Sequence, residues 1–530
     1  MRENTEIALT TPPIASAQSS DFKSHVKNIS QQSSVFLFGT LFSAAAAYFF
    51  KIYLARVLGA EALGIYALGM TVVGLAGVLA AGGLPQAANR FVAVYSATGQ
   101  AQKLGRFLWS SLAFLIISNV LAGVLILALR RWIAGPVYHT PALASYLHFF
   151  IPIMLTGSLT AFLGLALAGF KDVTRRTIIT NFVGQTLTMA FSIALLVAGF
   201  GLTGYLVAQI GSALVVLLLL GWSTWKLCPQ PARWPSFGLP LLEPEVVSFS
   251  VTFFGVQALT FLLSQSDKVL LGIYINPREV GIYSIAATLV AFVPLALQSV
   301  NQIFSPTIAE LHAQGNLELL ARLFRSLIKW TLGLTIPLAA VMILFARHIM
   351  GMFGSEFAPG WPVLIAGTFG QLVNCGVGSV GFLLLMSGHE RRVLKIQTVM
   401  AVLVVCLNLA LIPLMGLLGA AIAGAIVNAG TNLWSLAEVR GSLGIAPSVR
   451  KYVALVPPTV AMFAAVLLLQ HFMPTTWPGW VVILAALTTG YLAFAAASFL
   501  SLDADDRVIA RMIRSRVRGL TSAKLGDPFS

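Results

Sequence analysis

Charged side chains interrupt apolar stretches of this sequence in two places. Lys51 and Arg56 close one stretch, and Asp267 and Lys268 lie within another. An ionisable group inside a membrane-spanning segment is costly, so it predicts a functional site. Basic groups bind anions through charge-assisted hydrogen bonds. The pattern predicts an anion site in which Asp267 pairs with Lys268 or acts as a coupling carboxylate. The simpler alternative is that both lysines extend outward and Asp267 and Lys268 form a structural pair.

A second set of polar residues in apolar stretches is neutral. Gln298, Asn301 and Gln302 lie in one stretch, and Gln257 and Gln265 lie in another. Each amide offers a donor and an acceptor, which suits a hydroxyl-rich ligand. Amides also join neighbouring helices inside a membrane, which is the simpler role. Gln298 and Asn301 are the two amides we predict to be part of a binding site.

The composition defines the elements that must position these residues. Of 530 residues, 58% are hydrophobic and 10% are charged, and the mean hydropathy is +0.87. Soluble domains carry about 25% charged residues, so lipid is the solvent that fits this chain. Lipid offers no partners to backbone groups, which favours helices. We predict an all-α integral membrane protein with fourteen spans, at about 34–58, 63–83, 107–129, 144–168, 177–199, 203–222, 248–273, 279–304, 327–346, 361–386, 394–414, 417–437, 452–471 and 479–500.

Basic residues are distributed unevenly between the two sides that this topology defines. Most of the 33 Lys and Arg residues fall in the two terminal tails and in the loops after even-numbered spans. The others are Lys51, Arg56, Arg130, Arg131, Lys268, Arg278 and Arg347. The bias predicts that both termini are cytoplasmic. Arg90 lies on the cytoplasmic side, where it either meets a phosphate group or anchors the chain at the membrane surface.

Several classes of function are disfavoured by what the sequence contains. The net charge of +15 comes from basic residues in short loops, without the interleaved aromatics of a nucleic-acid-binding surface. The three cysteines and seven histidines have no metal-site spacing, so no metal and no cofactor are predicted. Two stretches, 199–204 and 376–381, match the glycine pattern of a dinucleotide site, but neither follows a strand. The short loops favour a transporter over an enzyme.

An internal repeat divides the chain. Lys51 and Lys268 are 217 residues apart, as are Gly64-Ile65-Tyr66 and Gly281-Ile282-Tyr283. The repeat contains six spans, an even number, so its copies are parallel and related by an axis along the membrane normal. The paired lysines are predicted to approach that axis from opposite lobes. The predicted parts are a disordered cytoplasmic tail (1–30), an N-terminal six-helix lobe (31–222), a Pro-rich cytoplasmic linker (223–246), a C-terminal six-helix lobe (247–440), an extra helix pair (441–500) and a basic cytoplasmic tail (501–530).

Short motifs of the sequence resemble one known family. The stretch 56–59, Arg-Val-Leu-Gly, followed by Gly64-Ile65-Tyr66, resembles the first helical junction of bacterial polysaccharide transporters. The stretch 267–272 followed by 280–284 resembles their seventh-to-eighth junction, and Ser387-Gly388 before basic residues resembles the region after helix ten. These proteins are the Wzx-type flippases of the multidrug/oligosaccharidyl-lipid/polysaccharide exporter superfamily. The similarity covers nearly all residues from about 30 to 500.

The resemblance implies a substrate, a location and an energy source. The expected substrate is an undecaprenyl-pyrophosphate-linked oligosaccharide, moved across a bacterial inner membrane by alternating access. A coupling ion, proton or sodium, or the membrane potential would drive it, and membrane lipids would be the other partners. One alternative is a multidrug or cation-coupled exporter of the same fold. A membrane glycan polymerase or ligase is a third, and it predicts a larger outer loop than this sequence has.

Overall fold

The computed structural model describes residues 14–234, 242–472 and 477–500, which are helical and contain no strand. Two π-helical turns (Ile133–Val137, Ile178–Gly184) and two 3₁₀ turns (Gln230–Ala232, Ser355–Gly360) lie between α-helices. The α-helices are α1 Ile14–Ala81, α2 Leu84–Ala97, α3 Ala101–Trp132, α4 Pro141–Gly169, α5 Val173–Thr177, α6 Gln185–Val197, α7 Gly201–Leu227, α8 Pro244–Tyr274, α9 Pro277–Val290, α10 Leu295–Ala313, α11 Leu317–Leu344, α12 Ala346–Gly351, α13 Trp361–Val377, α14 Val380–Met386, α15 Glu390–Met415, α16 Leu417–Leu443, α17 Val449–Val453, α18 Val456–Phe472 and α19 Gly479–Leu500.

The number of spans differs from the predicted fourteen. Within the described ranges, eleven helices are long and apolar enough to cross a membrane, or thirteen if two bent pairs each count as one span. The count of fourteen is therefore not confirmed. The first two predicted spans overlap a single helical run, Ala46–Ala81. That run breaks at Gly59, whose φ of 78° is a conformation that glycine adopts without steric cost.

The two termini were both predicted to be tails. Helix α1 begins at Ile14, so residues 14–30 are helical where the sequence predicts disorder. Residues 14–30 contain neither glycine nor proline, so nothing in their backbone chemistry interrupts a helix. Residues 1–13 and the basic tail 501–530 lie outside the described residues.

The chain divides into two compact units, of which unit 1 comprises Met1–Lys51, Leu79–Leu125 and Phe149–Phe254. Its core is aromatic: the ring of Phe91 lies 5.9 Å from that of Phe107 and 5.7 Å from that of Phe249. The ring of Phe107 in turn lies 6.1 Å from that of Phe162. A Cβ on Gly83 would overlap the carbonyl oxygen of Ser250, so the start of α2 packs directly against α8. These contacts fix the first part of α8, up to Phe254, in unit 1.

Unit 2 comprises Ile52–Val78, Ile126–His148 and Gly255–Ser530. Helices α13 and α16 approach closely, because a Cβ on Gly370 would lie 2.8 Å from the Cα of Ala425. The last helix, α19, packs on α11, where the Tyr491 hydroxyl donates to the carbonyl of Leu334 at 2.8 Å. The terminal helix pair therefore belongs to this unit. The predicted lobes follow the repeat, and their boundaries stay a prediction.

Two spans of unit 2 are broken. Helices α9 and α10 meet at 49°, and α13 and α14 meet at 47°. The second break falls at Gly378, whose φ is 80°. A break frees backbone carbonyls, and that of Gly376 accepts a hydrogen bond from the Tyr452 hydroxyl at 2.6 Å. A side chain from α17 thus satisfies a carbonyl that the broken span leaves open.

Candidate functional site

The two copies of the repeated Gly-Ile-Tyr motif meet at a close backbone contact in unit 2. A Cβ on Gly64 would overlap the carbonyl oxygen of Pro277 and lie 3.1 Å from the nitrogen of Gly281. A Cβ on Gly281 would overlap the carbonyl oxygen of Ala60 and lie 3.0 Å from the nitrogen of Gly64. Only glycine allows two helices to approach this closely.

This contact has two-fold symmetry in sequence terms. Ala60 and Pro277 are separated by the same 217 residues as Gly64 and Gly281. Each glycine therefore packs against a carbonyl of the other copy, and these two carbonyls occupy equivalent positions of the repeat. A self-complementary contact of this kind is what a two-fold axis between like elements produces. The local axis of the repeat passes between Gly64 and Gly281.

The turns that precede these two helices are anchored to one segment. Arg56 donates through Nε to the carbonyl of Met352 at 2.8 Å. The backbone nitrogen of Ala60 donates to Oε1 of Glu356 at 3.0 Å, and Oε2 of Glu356 lies 3.8 Å from Nε of Arg278. Glu356 thus contacts equivalent turns of both repeat copies. Arg56, a predicted ligand residue, is exposed and contributes to this anchoring.

Asp267 and Lys268 contact different groups. The hydroxyl of Tyr283 donates to Oδ2 of Asp267 at 2.6 Å, and the backbone nitrogen of Lys268 donates to Oδ1 at 2.7 Å. The ammonium of Lys268 donates to Oε1 of Gln265 at 2.9 Å. Adjacent side chains on a helix do not face each other, whereas residues three apart do. The Asp267 carboxylate and the Lys268 ammonium therefore have different side-chain partners, and the functional role of each residue stays a prediction.

Two predicted basic residues lie in unit 1. Lys51 is half-buried at the boundary of that unit. Lys51 and Lys268 belong to different units, so their predicted approach to one axis stays a prediction. Arg90 is half exposed, lies 3.4 Å from Oε1 of Glu245 and stacks 4.8 Å from the centre of the Phe249 ring. Arg90 therefore joins α2 to the start of α8.

A second contact supports this junction in unit 1. The Tyr95 hydroxyl donates to Oε2 of Glu243 at 3.1 Å, and the ammonium of Lys103 lies 4.0 Å from Oε1 of the same carboxylate. Burial, and then the hydrogen bond and charge of Glu243, raise the pKa of Tyr95 to about 12. The phenol therefore remains a neutral donor at any physiological pH.

The predicted amides have varied environments. Gln265 accepts from Lys268, and Gln257 and Gln298 are exposed. The side-chain oxygen of Asn301 is buried and has no hydrogen-bond partner among the described residues. The side chain of Gln302 lies outside the described residues. Asn301 is thus the amide whose unsatisfied acceptor most favours a polar ligand.

A cleft opens beside Glu356 in unit 2. It has a volume of about 420 Å³. The start of α9, the segment 356–363 and the turn between α15 and α16 line it. The polar side chains on its wall are those of Asn276, Arg278, Glu279 and Glu356. The bias of basic residues predicts that these turns face away from the cytoplasm.

Three residues of this region were not singled out from the sequence as binding residues. Glu356 and Arg278 lie in loops, where charged residues are ordinary, and Tyr283 was noted only as part of the repeat. A signal for Glu356 was available: it is an acidic residue two positions after Gly354 in a short loop. A signal for Tyr283 was its position two residues after a repeated glycine.

Comparisons of the sequence with known proteins found two matching family models and one relative. A sequence model of the polysaccharide biosynthesis protein family matches residues 29–312, and a MatE model matches residues 253–436. The chain is 27% identical over 160 residues to the probable flippase AglR of Haloferax volcanii. That segment is 30% of this chain and 34% of AglR, so about a third of the relative's length is matched. The resemblance noted in the sequence is confirmed.

Solved structures share the fold. The lipid II flippase MurJ, in an inward closed conformation, has a TM-score of 0.72 at 16% identity, over 88% of this chain and 98% of MurJ. An inward-facing multidrug resistance MATE family transporter of the MOP superfamily has a TM-score of 0.62 at 16% identity, over 78% of this chain and 97% of the other. The predicted all-α membrane-transporter fold is confirmed.

Proposed function

The chain belongs to the polysaccharide biosynthesis protein family, and from this premise we propose that it is a flippase for a lipid-linked oligosaccharide. Its substrate would be an undecaprenyl-pyrophosphate-linked polysaccharide precursor. It would turn that lipid from the inner to the outer leaflet of a bacterial inner membrane, with both chain termini in the cytoplasm. The match to AglR, described as a probable flippase, supports the proposal that this chain is a flippase.

The observation that carries this proposal is the two-fold contact of Gly64 and Gly281. Alternating access requires like elements of two repeat copies that can part and rejoin about a shared axis. The contact joins equivalent helices of the two copies through a close approach of their backbones at Gly64 and Gly281. It lies directly after the outer turns, so separation of α1 from α9 there would open a path to the outer side.

The basic residues of the spans would bind the pyrophosphate. Lys268 is half-buried, and its ammonium is held by Gln265 at 2.9 Å, which leaves donor capacity for a phosphate oxygen. Lys51 holds the equivalent position in the first copy. Charge-assisted hydrogen bonds to phosphate would offset part of the cost of moving the anion through hydrocarbon. Asn301 would contribute its unsatisfied acceptor to the sugar hydroxyls.

Coupling to an ion gradient would involve Asp267. Its carboxylate accepts from Tyr283 at 2.6 Å, which joins α8 to α9 at a residue two positions after Gly281. Protonation of Asp267, or binding of sodium, would weaken that hydrogen bond and so alter the attachment of α9. In this proposal, Asp267 lies close to the Gly64–Gly281 contact that would separate during transport.

A transport assay tests the proposal. The full chain in proteoliposomes should flip undecaprenyl-pyrophosphate-linked oligosaccharide, followed by its exposure to an external glycosidase. The double variant Lys51→Gln/Lys268→Gln should flip the lipid at least about tenfold more slowly. A loss of this size corresponds to one charge-assisted hydrogen bond or more. The control Arg130→Gln/Arg131→Gln removes two charges on the same predicted side of the membrane. No flipping by the native chain would refute the function, and equal rates in both double variants would refute the role of the lysines.

The second candidate function is export of cationic drugs. The MatE match over residues 253–436 favours it. A drug exporter needs carboxylates and aromatics in its passage, whereas the predicted passage residues here are mainly basic. Efflux of ethidium from cells that express the chain, without flipping of the lipid, would decide for this candidate.

A further inference from the structure

The cleft beside Glu356 has the size and wall of a ligand site. Its volume of about 420 Å³ falls in the range of roughly 300–1,000 Å³ that is typical of small-molecule sites. Three separate parts of unit 2 converge on it, so its shape is set by tertiary packing and not by one mobile loop. None of the predicted binding residues lines this cleft.

The charges of the wall decide what kind of ligand fits. Glu279 and Glu356 supply two carboxylates, and Arg278 supplies one guanidinium. This excess of negative charge disfavours a phosphate. Asn276 uses its side-chain oxygen to accept from the backbone of Glu279 at 3.0 Å, so its NH₂ group points two donors elsewhere. Vicinal hydroxyl groups can both donate and accept hydrogen bonds. They can donate to the two carboxylates of this wall and accept from its amide and its guanidinium.

The floor of the cleft is aliphatic. Ile282, Val363 and Leu418 contribute to it, and no aromatic ring is among the described residues that line the cleft. A planar organic cation gains most from an aromatic wall, which is missing from this lining. A sugar presents apolar C–H faces together with a hydroxyl rim, and both parts have counterparts here.

We propose that this cleft binds the glycan of the transported lipid at the outer end of its path. The inference rests on the proposed function and adds a second subsite, distinct from the basic residues that would hold the pyrophosphate. A glycan hydroxyl that binds Glu356 competes with its contact to Arg278, which at 3.8 Å is long and half exposed. Occupancy of the cleft would therefore loosen the carboxylate that also holds the turn at Ala60.

Binding to the full chain in lipid nanodiscs tests this subsite. One probe is the free oligosaccharide released by mild acid from the polyprenyl-linked precursor of the source cells. The other is undecaprenyl pyrophosphate without sugar. Leu418→Trp fills the cleft, and Glu279→Gln removes one acceptor charge while keeping the side-chain shape. The matched control is Leu414→Trp, four residues earlier near the end of α15, on an exposed site outside the cleft.

The expected result separates the two probes. Leu418→Trp and Glu279→Gln should each weaken oligosaccharide binding by about tenfold, the loss of a hydrogen bond to a charged group or of the space for the ligand. Both should bind undecaprenyl pyrophosphate as the native chain does, and Leu414→Trp should resemble the native chain with both probes.

Three outcomes would overturn the subsite. In the first, the native chain binds undecaprenyl pyrophosphate but not the oligosaccharide, which leaves the proposed function intact. In the second, both cleft variants bind the oligosaccharide as the native chain does. In the third, ethidium binds the native chain and is the ligand that Leu418→Trp excludes. Failure of the native chain to bind either probe or to flip the lipid would instead remove the proposed function itself.

Discussion

The first repeat copy, around residues 50–66, and the second, around residues 267–283, carry the same Gly-Ile-Tyr sequence at the same distance from a lysine. Their glycines make equivalent backbone contacts. The residue before the lysine differs: Phe50 in the first copy and Asp267 in the second. The ring of Phe50 packs 6.3 Å from that of Tyr205, whereas Asp267 accepts from Tyr283. Packing is shared by the two copies, and the ionisable group is found in only one of these two positions.

The turns that precede the two contact helices differ in a similar way. In the first copy, Arg56 donates to a backbone carbonyl at 2.8 Å and Ala60 donates to Glu356 at 3.0 Å. In the second, Arg278 approaches Glu356 at 3.8 Å. The first turn is therefore held by two short hydrogen bonds and the second by one long ion pair. A symmetric contact can be retained while its supports diverge, because backbone approach needs only glycine and each support needs a specific side chain.

The largest expected effect comes from filling the two-fold contact. Gly64→Val and Gly281→Val should each lower the free energy of unfolding by about 3 kcal/mol, since each branched side chain would overlap a backbone carbonyl. Thermal unfolding and lipid flipping measure the effect. Gly424→Val is the control, because a Cβ on Gly424 meets no atom within 4 Å. A large loss in one variant with none in the other would break the symmetry that we infer.

Removal of the Tyr283 hydroxyl should have the next largest effect. Tyr283→Phe deletes a donor to a carboxylate, and such hydrogen bonds contribute about 2 kcal/mol. Thermal unfolding of Tyr283→Phe, Asp267→Ala and the double variant forms a double-mutant cycle that isolates the pair, because each single change removes the hydrogen bond. Strictly additive effects would mean that the two side chains do not interact, and the contrast between the copies would lose its basis.

Neutralisation of Asp267 should affect coupling more than folding. Asp267→Asn keeps the shape and an acceptor for Tyr283 but cannot exchange a proton. We expect flipping driven by an ion gradient to fall about tenfold, within the usual range of coupling energies. Exchange of substrate in the absence of a gradient should be unchanged. Equal losses in both assays would assign Asp267 to substrate binding or structure and not to coupling.

The smallest expected effects on stability come from the two turns that contain Arg56 and Arg278. Arg56→Gln should cost about 1 kcal/mol through its hydrogen bond to Met352. Arg278→Gln should cost less, since its ion pair is long and the arginine side chain is 62% exposed. Thermal unfolding of the two variants ranks the supports. The opposite order would mean that the second turn is the more firmly held.

Much of the fold could be predicted from the sequence, because it depends on local or additive properties. Long apolar segments predict spans wherever they occur, and the bias of basic residues depends on a sum over loops. The repeat was visible because equal spacing survives in Lys51 and Lys268 and in the two glycine motifs. The predicted spans 34–58 and 63–83 leave a boundary at residues 59–62, and the break at Gly59 falls there. The positive φ of Gly59 was not predicted, since a single glycine does not by itself specify a left-handed conformation.

The partners of the polar residues were decided by tertiary structure alone. Ala60 and Glu356 are separated by 296 residues, and nothing local links them. Asp267 was expected either to pair with its neighbour Lys268 or to act as a coupling carboxylate. Helix geometry directs adjacent side chains apart, and the hydroxyl of Tyr283 reaches the carboxylate from α9. Apolar content and charge balance are read along the chain, whereas a hydrogen bond depends on where two distant helices cross. The sequence determined an all-helical membrane protein with a repeated Gly-Ile-Tyr motif, and the packing of its helices determined which of its charges meet.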